Sequence, residues 1–449
     1  MSFSSIEFIF MFLPAFLIVY YIIPAKLRMY CLLLGSLVFY WLNVSDRPAV
    51  MLIPIFGIIL AYISALVIAS RPELGKRVTA ASAGIMFAVL LFYKYAGLFS
   101  GMNIVIPAGI SFYTFQLTGY IFDVYREKIK AEKSPVKLAA GMMMFPKLLS
   151  GPITPWKDIS PQLQHPSFSF SKFDSGLRTL IIGLGMKTLL ADRIGGLWTQ
   201  VNTIGYDGIS TPMAWLGVLA YTLKLYFDFY GYSLMACGVG EMLGYNLPVN
   251  FKYPYVARSM SDFWRRWHIT LGRWFTDNIY IPLGGNRRGI KRQILNLLAV
   301  WLCTGIWHGS TLNFLIWGLF LFAIIAVEKL LKIDRNNNPL SHIYMIPAIL
   351  ICWALFAVTD ISQLGTLLSR MFPFFTKNTV MLPGDYIIYG KQYGIMLIIG
   401  IVVSTPFPGR LWKRIRTTPI GTAILFVIFW LAVYCMSSGL NDPFMYFNF

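Results

Sequence analysis

Two of the four histidines of this 449-residue chain stand where an imidazole could move a proton. His268 lies in the aromatic and arginine-rich run SDFWRRWHITLGRWF, from Ser261 to Phe275. His308 lies at the polar break WHGST between two apolar segments. An ionisable side chain at membrane depth is a functional candidate by default. Imidazole is the side chain best matched to proton transfer near neutral pH, so general-base chemistry is the functional reading of His308, with His268 a second site candidate. The alternative is a satisfied histidine: His308 bonding a carbonyl at a helix kink, His268 at the edge of an interfacial helix.

Other chemistries have less support. Neither GxSxG nor HExxH occurs, and no cluster of carboxylates flanks the histidines, so neither a serine nucleophile nor a metal centre is expected. Ser310 has no elbow motif around it. The five cysteines, Cys31, Cys237, Cys303, Cys352 and Cys435, fall in apolar segments without CxxC spacing and read as small hydrophobes. Asp228, in YFDFYGYS, is a carboxylate inside an apolar stretch that needs a cation, an imidazole or a tyrosine hydroxyl beside it. GGNRRGIKR, from Gly284 to Arg292, packs four cations into nine residues. Asn286, Arg287, Arg288 and Arg292 could hold a phosphate-bearing cofactor, with Trp307 beside the reaction centre. A plain cytoplasmic anchor explains the same cations.

The elements that position these groups are helices in a membrane. The chain is 57% hydrophobic and 13% charged, half the charge of an ordinary soluble domain. The expected fold is all-α and polytopic, a single domain over residues 1–449. Its parts are N-terminal helices (1–125), a catalytic core (126–340) and C-terminal helices (341–449). Spans are expected at about 6–24, 29–43, 49–70, 77–98 and 104–122, then at about 177–196 and 212–238, and finally at about 311–328, 343–359, 391–407 and 420–437. FPKLLSGPITPW, from Phe145 to Trp156, is too short and too rich in Gly and Pro to cross, and reads as re-entrant. The net charge of +19 comes from lysines and arginines in short loops, the pattern of cytoplasmic loops, and does not point to nucleic acid. Alternation of those loops puts both termini outside. The N-terminus lacks a basic n-region, so its first apolar run is expected to be a retained span.

Two local readings bear on the histidines. Ser261 to Asp277 reads as one helix with Ser261 as its N-cap. At 100° per residue Phe263, Trp264, Trp267, Leu271, Trp274 and Phe275 fill one arc, His268 lies at its edge, and Asp262–Arg266 and Arg273–Asp277 pair at i, i+4. The apolar run Ile294 to Val327 is about 34 residues, too long for one span and short for two. Two short segments meeting at His308–Thr311 inside the protein fit best.

With these motifs on the page, the sequence resembles the membrane-bound O-acyltransferase family, of the bacterial alginate O-acetyltransferase type. The resemblance covers most of the chain. It rests on PAGISFYTFQ (Pro107 to Gln116), DVYR (Asp123 to Arg126), FPKLLSGPI (Phe145 to Ile153) and FDFYGYS (Phe227 to Ser233). It continues through DFWRRWHITLGRWF (Asp262 to Phe275), YIPLGGNRRG (Tyr280 to Gly289), WHG (Trp307 to Gly309) and the tail PFMYFNF. It implies a ring of about 11–12 tilted helices around a central funnel, in a bacterial cytoplasmic membrane. It further implies His308 as catalytic histidine and His268 as a second active-site residue hydrogen-bonding the thioester or its oxyanion. The donor it implies is acetyl-CoA, used as a substrate, with no permanently bound cofactor. An extracytoplasmic partner of the SGNH-hydrolase type and a polysaccharide acceptor follow from the same resemblance. Tyr446, in the tail, is then an acyl relay or an aromatic-belt anchor. D-alanyl transfer to teichoic acid, a glycan or lipid transporter, and a structural scaffold with satisfied histidines remain as rivals. The transporter reading predicts inverted repeats, which the sequence lacks.

Overall fold

The structure, a computed structural model, describes residues 1–100, 105–333, 341–374, 382–440 and 442. Every regular element among them is helical. Among the described residues six helical stretches are long and apolar enough to cross a bilayer: Ala25–Val44, Pro48–Ser70, Pro72–Leu98, Leu312–Leu330, Asp385–Val403 and Pro419–Ser437. Phe8–Ile22 and His342–Ala357 are shorter apolar helices. The outward sides of these helices are apolar too: Ile395, Ile398, Phe426 and Tyr434 are all well exposed. A helix greasy inside and out has lipid, not water, as its outer solvent. The protein is a multi-pass membrane protein.

The chain divides into two compact units. The first comprises, among the described residues, stretches within 1–184 and 232–249. Phe8, Phe12, Phe16 and Phe39 pack ring on ring around Phe145, with centroids 5.1–6.5 Å from it. The segment from Phe145, expected to be too short to cross, forms no long helix. Phe145–Leu148 makes a single helical turn, and the chain to Thr154 is buried without regular structure. Protein groups meet two of its donors, as irregular backbone in a membrane protein needs partners within the fold. Phe145 N–H donates to Ser36 Oγ at 3.0 Å, and the Lys147 ammonium to Gln116 Oε1. Gly109, at φ +73°, begins the next helix, Ile110–Tyr125; a Cβ there would lie 2.5 Å from the Leu148 carbonyl oxygen. Only glycine fits that approach.

The second unit comprises residues 185–231 and 250–442 and holds both histidines of interest. Its centre is the helical hairpin Gly289–His308 and Leu312–Leu330. The break falls at His308–Thr311 as the sequence predicts. The segments are longer than the apolar run, however, because helix extends through Gly289–Gln293 and to Leu330. Each is 19–20 residues, about 30 Å at 1.5 Å per residue, so both have full-span length. His308 is therefore at a hairpin tip, and it is protein that buries it. Two glycines let the arms meet: a Cβ on Gly305 would lie 2.7 Å from the Phe314 carbonyl oxygen, and one on Gly318 2.6 Å from that of Trp301. Small residues at such crossings are what allow helix backbones to approach in a membrane.

Gly305→Ala therefore pushes against backbone, which cannot rotate away. Thermal unfolding in detergent should show a lowered midpoint, by the ~1–3 kcal/mol typical of overpacking. Gly390→Ala, where nothing lies within 4 Å of the new Cβ, should not lower it.

Candidate active site

His268 does not sit on the edge of a long helix. The segment is two short helices, Met260–Arg266 and Ile269–Phe275, broken at Trp267 and His268. His268 has φ +44° and ψ 53°, a left-handed conformation that costs a non-glycine residue about 1–3 kcal/mol and persists only where surroundings enforce it. The enforcing element is the chain at Asn250–Lys252. Lys252 N–H donates to the Arg266 carbonyl and Ile269 N–H to the Asn250 carbonyl, both at 2.9 Å. The polar backbone groups opened by the break are thereby satisfied, which a periodicity reading has no means to foresee.

The Asn250 side chain completes the clamp. Its Oδ1 lies 3.1 Å from His268 Nδ1, and accepts from Thr270 N–H at 3.2 Å and Thr270 Oγ1 at 3.0 Å. Asn250, His268 and Thr270 are all buried. His268 lies outside every candidate span, and burial pushes its imidazole pKa down, to about 3. The ring is neutral at physiological pH.

The first turn of Met260–Arg266 is held by a residue from a span. Glu328 is buried, and its carboxylate accepts from Met260 N–H, Ser261 N–H (3.0 Å), Ser261 Oγ (2.9 Å) and Tyr344 OH (2.9 Å). An anion at a helix N-terminus meets unpaired N–H groups and the positive end of the helix dipole. The N-cap is Ser259, whose Oγ accepts from Asp262 N–H at 3.0 Å, rather than Ser261. The expected Asp262–Arg266 pair forms at 2.8 Å.

The aromatic arc faces protein, not headgroups. Phe263, Trp267, Leu271, Trp274 and Phe275 are buried. Trp264 packs on Trp301 and Trp317 (5.0 and 5.7 Å), and Trp267 on Trp353 (4.7 Å). His308 belongs to the same cluster. Its ring meets Trp317 and Phe356 edge to face at 4.9 and 5.0 Å, and lies 4.3 Å from Trp307. Packed rings run on from Phe356 through Trp353, Trp267, Phe251 and Phe229 to His268, each step 4.7–5.6 Å. One aromatic core thus carries both imidazoles.

The cations are elsewhere. Asn286, Arg287, Arg288 and Arg292 are exposed around the start of the Gly289–His308 helix, and Trp307 is buried at its far end. Sixteen residues separate Arg292 from His308, about 24 Å of helical rise. A ligand touching both would have to lie along the helix. The turn itself is built: Arg292 Nε donates to the Leu283 carbonyl and Asn296 Nδ2 to that of Gly285.

Asp228 finds a cation. Lys187 bridges Asp192 at 2.6 Å and Asp228 at 2.9 Å, all three side chains buried, so this carboxylate is part of an internal ion network. No group of three or more potential metal ligands occurs among the described residues. Tyr446 lies outside the described residues. Ahead of it, Arg193 donates to the Leu440 carbonyl and Lys224 pairs with Asp442 at 2.8 Å.

Asn250 and Glu328 were not foreseen in the sequence. Asn250 sits in LPVNF, a loop without periodicity. Glu328 did carry a signal, as a carboxylate closing an apolar run just before Lys329.

Helical spans around an aromatic core that buries two imidazoles describe a polytopic membrane protein. Comparison with known proteins gives the class. A model of the membrane-bound O-acyltransferase family matches residues 126–359, and this chain belongs to that family. It is an O-acyltransferase. A relative from Pseudomonas putida, named probable alginate O-acetylase AlgI, is 30% identical over the whole of both chains. The protein of the same name from Pseudomonas aeruginosa is 35% identical over 90% of this chain and 81% of its own. A peptidoglycan O-acetyltransferase from Helicobacter pylori is 33% identical over 73% of this chain and 70% of its own.

Glu328→Gln replaces an acceptor facing two backbone N–H groups with an amide that must turn its NH2 somewhere. Hydrogen bonds to a charged group contribute about 1.5–3 kcal/mol each. The expected result is a lower unfolding midpoint in detergent together with weakened acyl transfer.

Proposed function

We propose that this protein takes an acetyl group from acetyl-CoA on the cytoplasmic side of a bacterial cell membrane and passes it on for O-acetylation of an extracytoplasmic glycan. Alginate, peptidoglycan and other cell-surface polysaccharides have the acceptor chemistry. The reading is supported by the names of relatives that align along most of their own length. The observation that carries the chemistry is His308, buried among Trp307, Phe314, Trp317 and Phe356 at the tip of the hairpin. That histidine and His268 both fall in the segment matched by the family model.

His308 takes the proton of an incoming hydroxyl while that oxygen attacks the thioester carbonyl. The carbon–sulfur bond breaks, and the proton returns to the thiolate to release the free thiol. The aromatic cage keeps water, a competing nucleophile, from the acyl group. His268 is the second polar group of the site. Arg287, Arg288, Arg292 and Asn286 receive phosphates of the donor, and Trp307 lies beside the reacting centre. Both termini face outside in this reading. An SGNH-type protein there would complete transfer to the polymer, with Tyr446 as acyl carrier between the two.

Purified full-length protein should release free thiol from acetyl-CoA when an acceptor is present; a transporter would release none. His308→Ala and His308→Gln should lower that rate by the ~10²–10⁴-fold a general base contributes, without loss of folded protein in detergent. Transfer retained in both variants would refute the assignment. Tyr446→Phe should abolish acetylation of the glycan in cells at normal expression; unchanged acetylation removes the relay.

A further inference from the structure

The identity of the atom facing His268 settles where that ring carries its hydrogen. An asparagine side chain presents either its oxygen or its NH2 to a neighbour, and coordinates alone seldom tell which. Here a third group decides. The atom 3.1 Å from His268 Nδ1 is also 3.2 Å from the backbone nitrogen of Thr270. A backbone N–H can only donate, so its partner has to be the amide oxygen. An oxygen can only accept, so His268 Nδ1 carries the hydrogen. A neutral imidazole has one hydrogen, and its lone pair is then on Nε2.

We infer that Asn250 is a positioning residue that fixes His268 as the Nδ1–H tautomer. His268 therefore serves the reaction as an acceptor at Nε2, holding the hydrogen of a hydroxyl or thiol, and not as the donor to an oxyanion. In this assignment His268 takes the place of an acceptor rather than the thioester- or oxyanion-bonding role first expected of it. It rests on the reading of His268 as a site residue for its catalytic meaning, but its structural half stands alone. Three features support it. The backbone carbonyl of Asn250 also accepts from Ile269 N–H at 2.9 Å, which anchors the Asn250 main chain beside the turn at His268. The left-handed turn at His268 aims the ring at Asn250, and Phe229 meets that ring edge on at 4.7 Å with an interplanar angle of 89°. Burial keeps the ring neutral, so Nε2 does not gain the hydrogen that donation would need. Histidines whose tautomer is set by the hydrogen bond of the other ring nitrogen are a general device for directing proton transfer.

Asn250, Thr270 and Phe229, which face this ring, are neutral. Replacing Asn250 with a carboxylate keeps an acceptor opposite Nδ1 and Thr270 N–H while adding a charge that favours the imidazolium. The test uses full-length protein in lipid with ring-15N histidine, His268 being assigned by the signal lost in His268→Gln. In the unsubstituted protein the expected spectrum is Nδ1 protonated and Nε2 bare at neutral pH. Asn250→Ala should mix the tautomers and lower kcat for thiol release about tenfold or more, while KM for acetyl-CoA changes less. Asn250→Asp should keep Nδ1 protonated and move the acid limb of the pH–rate profile to higher pH. A protonated Nε2 in the unsubstituted protein overturns the assignment. So does an Asn250→Asp profile that superimposes on the original, since a merely structural asparagine would leave the limb in place. The spectrum is read without turnover, so an absence of acetyl-CoA chemistry would refute the proposed function and leave the tautomer decided. If Asn250→Ala fails to fold, the unsubstituted spectrum and Asn250→Asp still decide.

Discussion

Every polar group that this chain takes out of water has to find its partner within the protein, and that constraint shapes both units. Lipid offers no hydrogen bonds, so a helix break inside the fold is possible only where another segment supplies donors and acceptors. At His268 the supplier is Asn250–Lys252, with two backbone bonds and one side-chain oxygen serving three donors. At Met260 it is the carboxylate of Glu328. At Phe145 it is Ser36. The irregular, chemistry-bearing parts are thus fastened to regular helices by a few specific bonds, which makes them rigid without being helical. A reaction site needs that rigidity, because a proton acceptor misplaced by about 1 Å loses most of its use.

The two histidines are held in different ways, and the difference matches different tasks. His268 is fixed by a hydrogen bond at Nδ1 and by its own backbone conformation, which together set its ring direction. His308 is caged by Trp307, Phe314, Trp317 and Phe356, whose edges and faces define a slot for the ring. Edge-to-face contacts with an imidazole add to area burial without demanding a particular tautomer.

Much of this was legible in the sequence, for identifiable reasons. Long apolar helices announce themselves by composition, so most spans fall where expected, and WHGST marks the hairpin break because Gly and Ser interrupt an apolar run. Asp228 read correctly as a carboxylate that needs a partner, and Lys187 supplies it. What failed was the single helix through His268. Its aromatic positions fit a 3.6-residue period well, yet Trp267 and His268 leave the helix because bonds to Asn250 and Lys252 outweigh local propensity. Those partners lie 15 or more residues away in a loop, beyond any windowed pattern. The tryptophans looked interfacial for the same reason: their burial depends on Trp301, Trp317 and Trp353, which arrive from other helices.

The position of the cations limits how a donor can be used. About 24 Å of helix separates Arg292 from His308, so phosphate contacts at the Asn286–Arg292 turn and acyl chemistry at the hairpin tip cannot be one compact pocket. An extended donor lying along the Gly289–His308 helix would satisfy both, with its charged end at the exposed turn and its thioester in the aromatic core. Such a division has a physical logic. The strongly hydrated phosphates stay where arginines are exposed to water, and only the neutral acyl end enters the dry site, where burying charge would cost several kcal/mol per ion. In the proposed function the helix thereby separates the binding of charge from the chemistry, and its length sets the reach that such a donor must have.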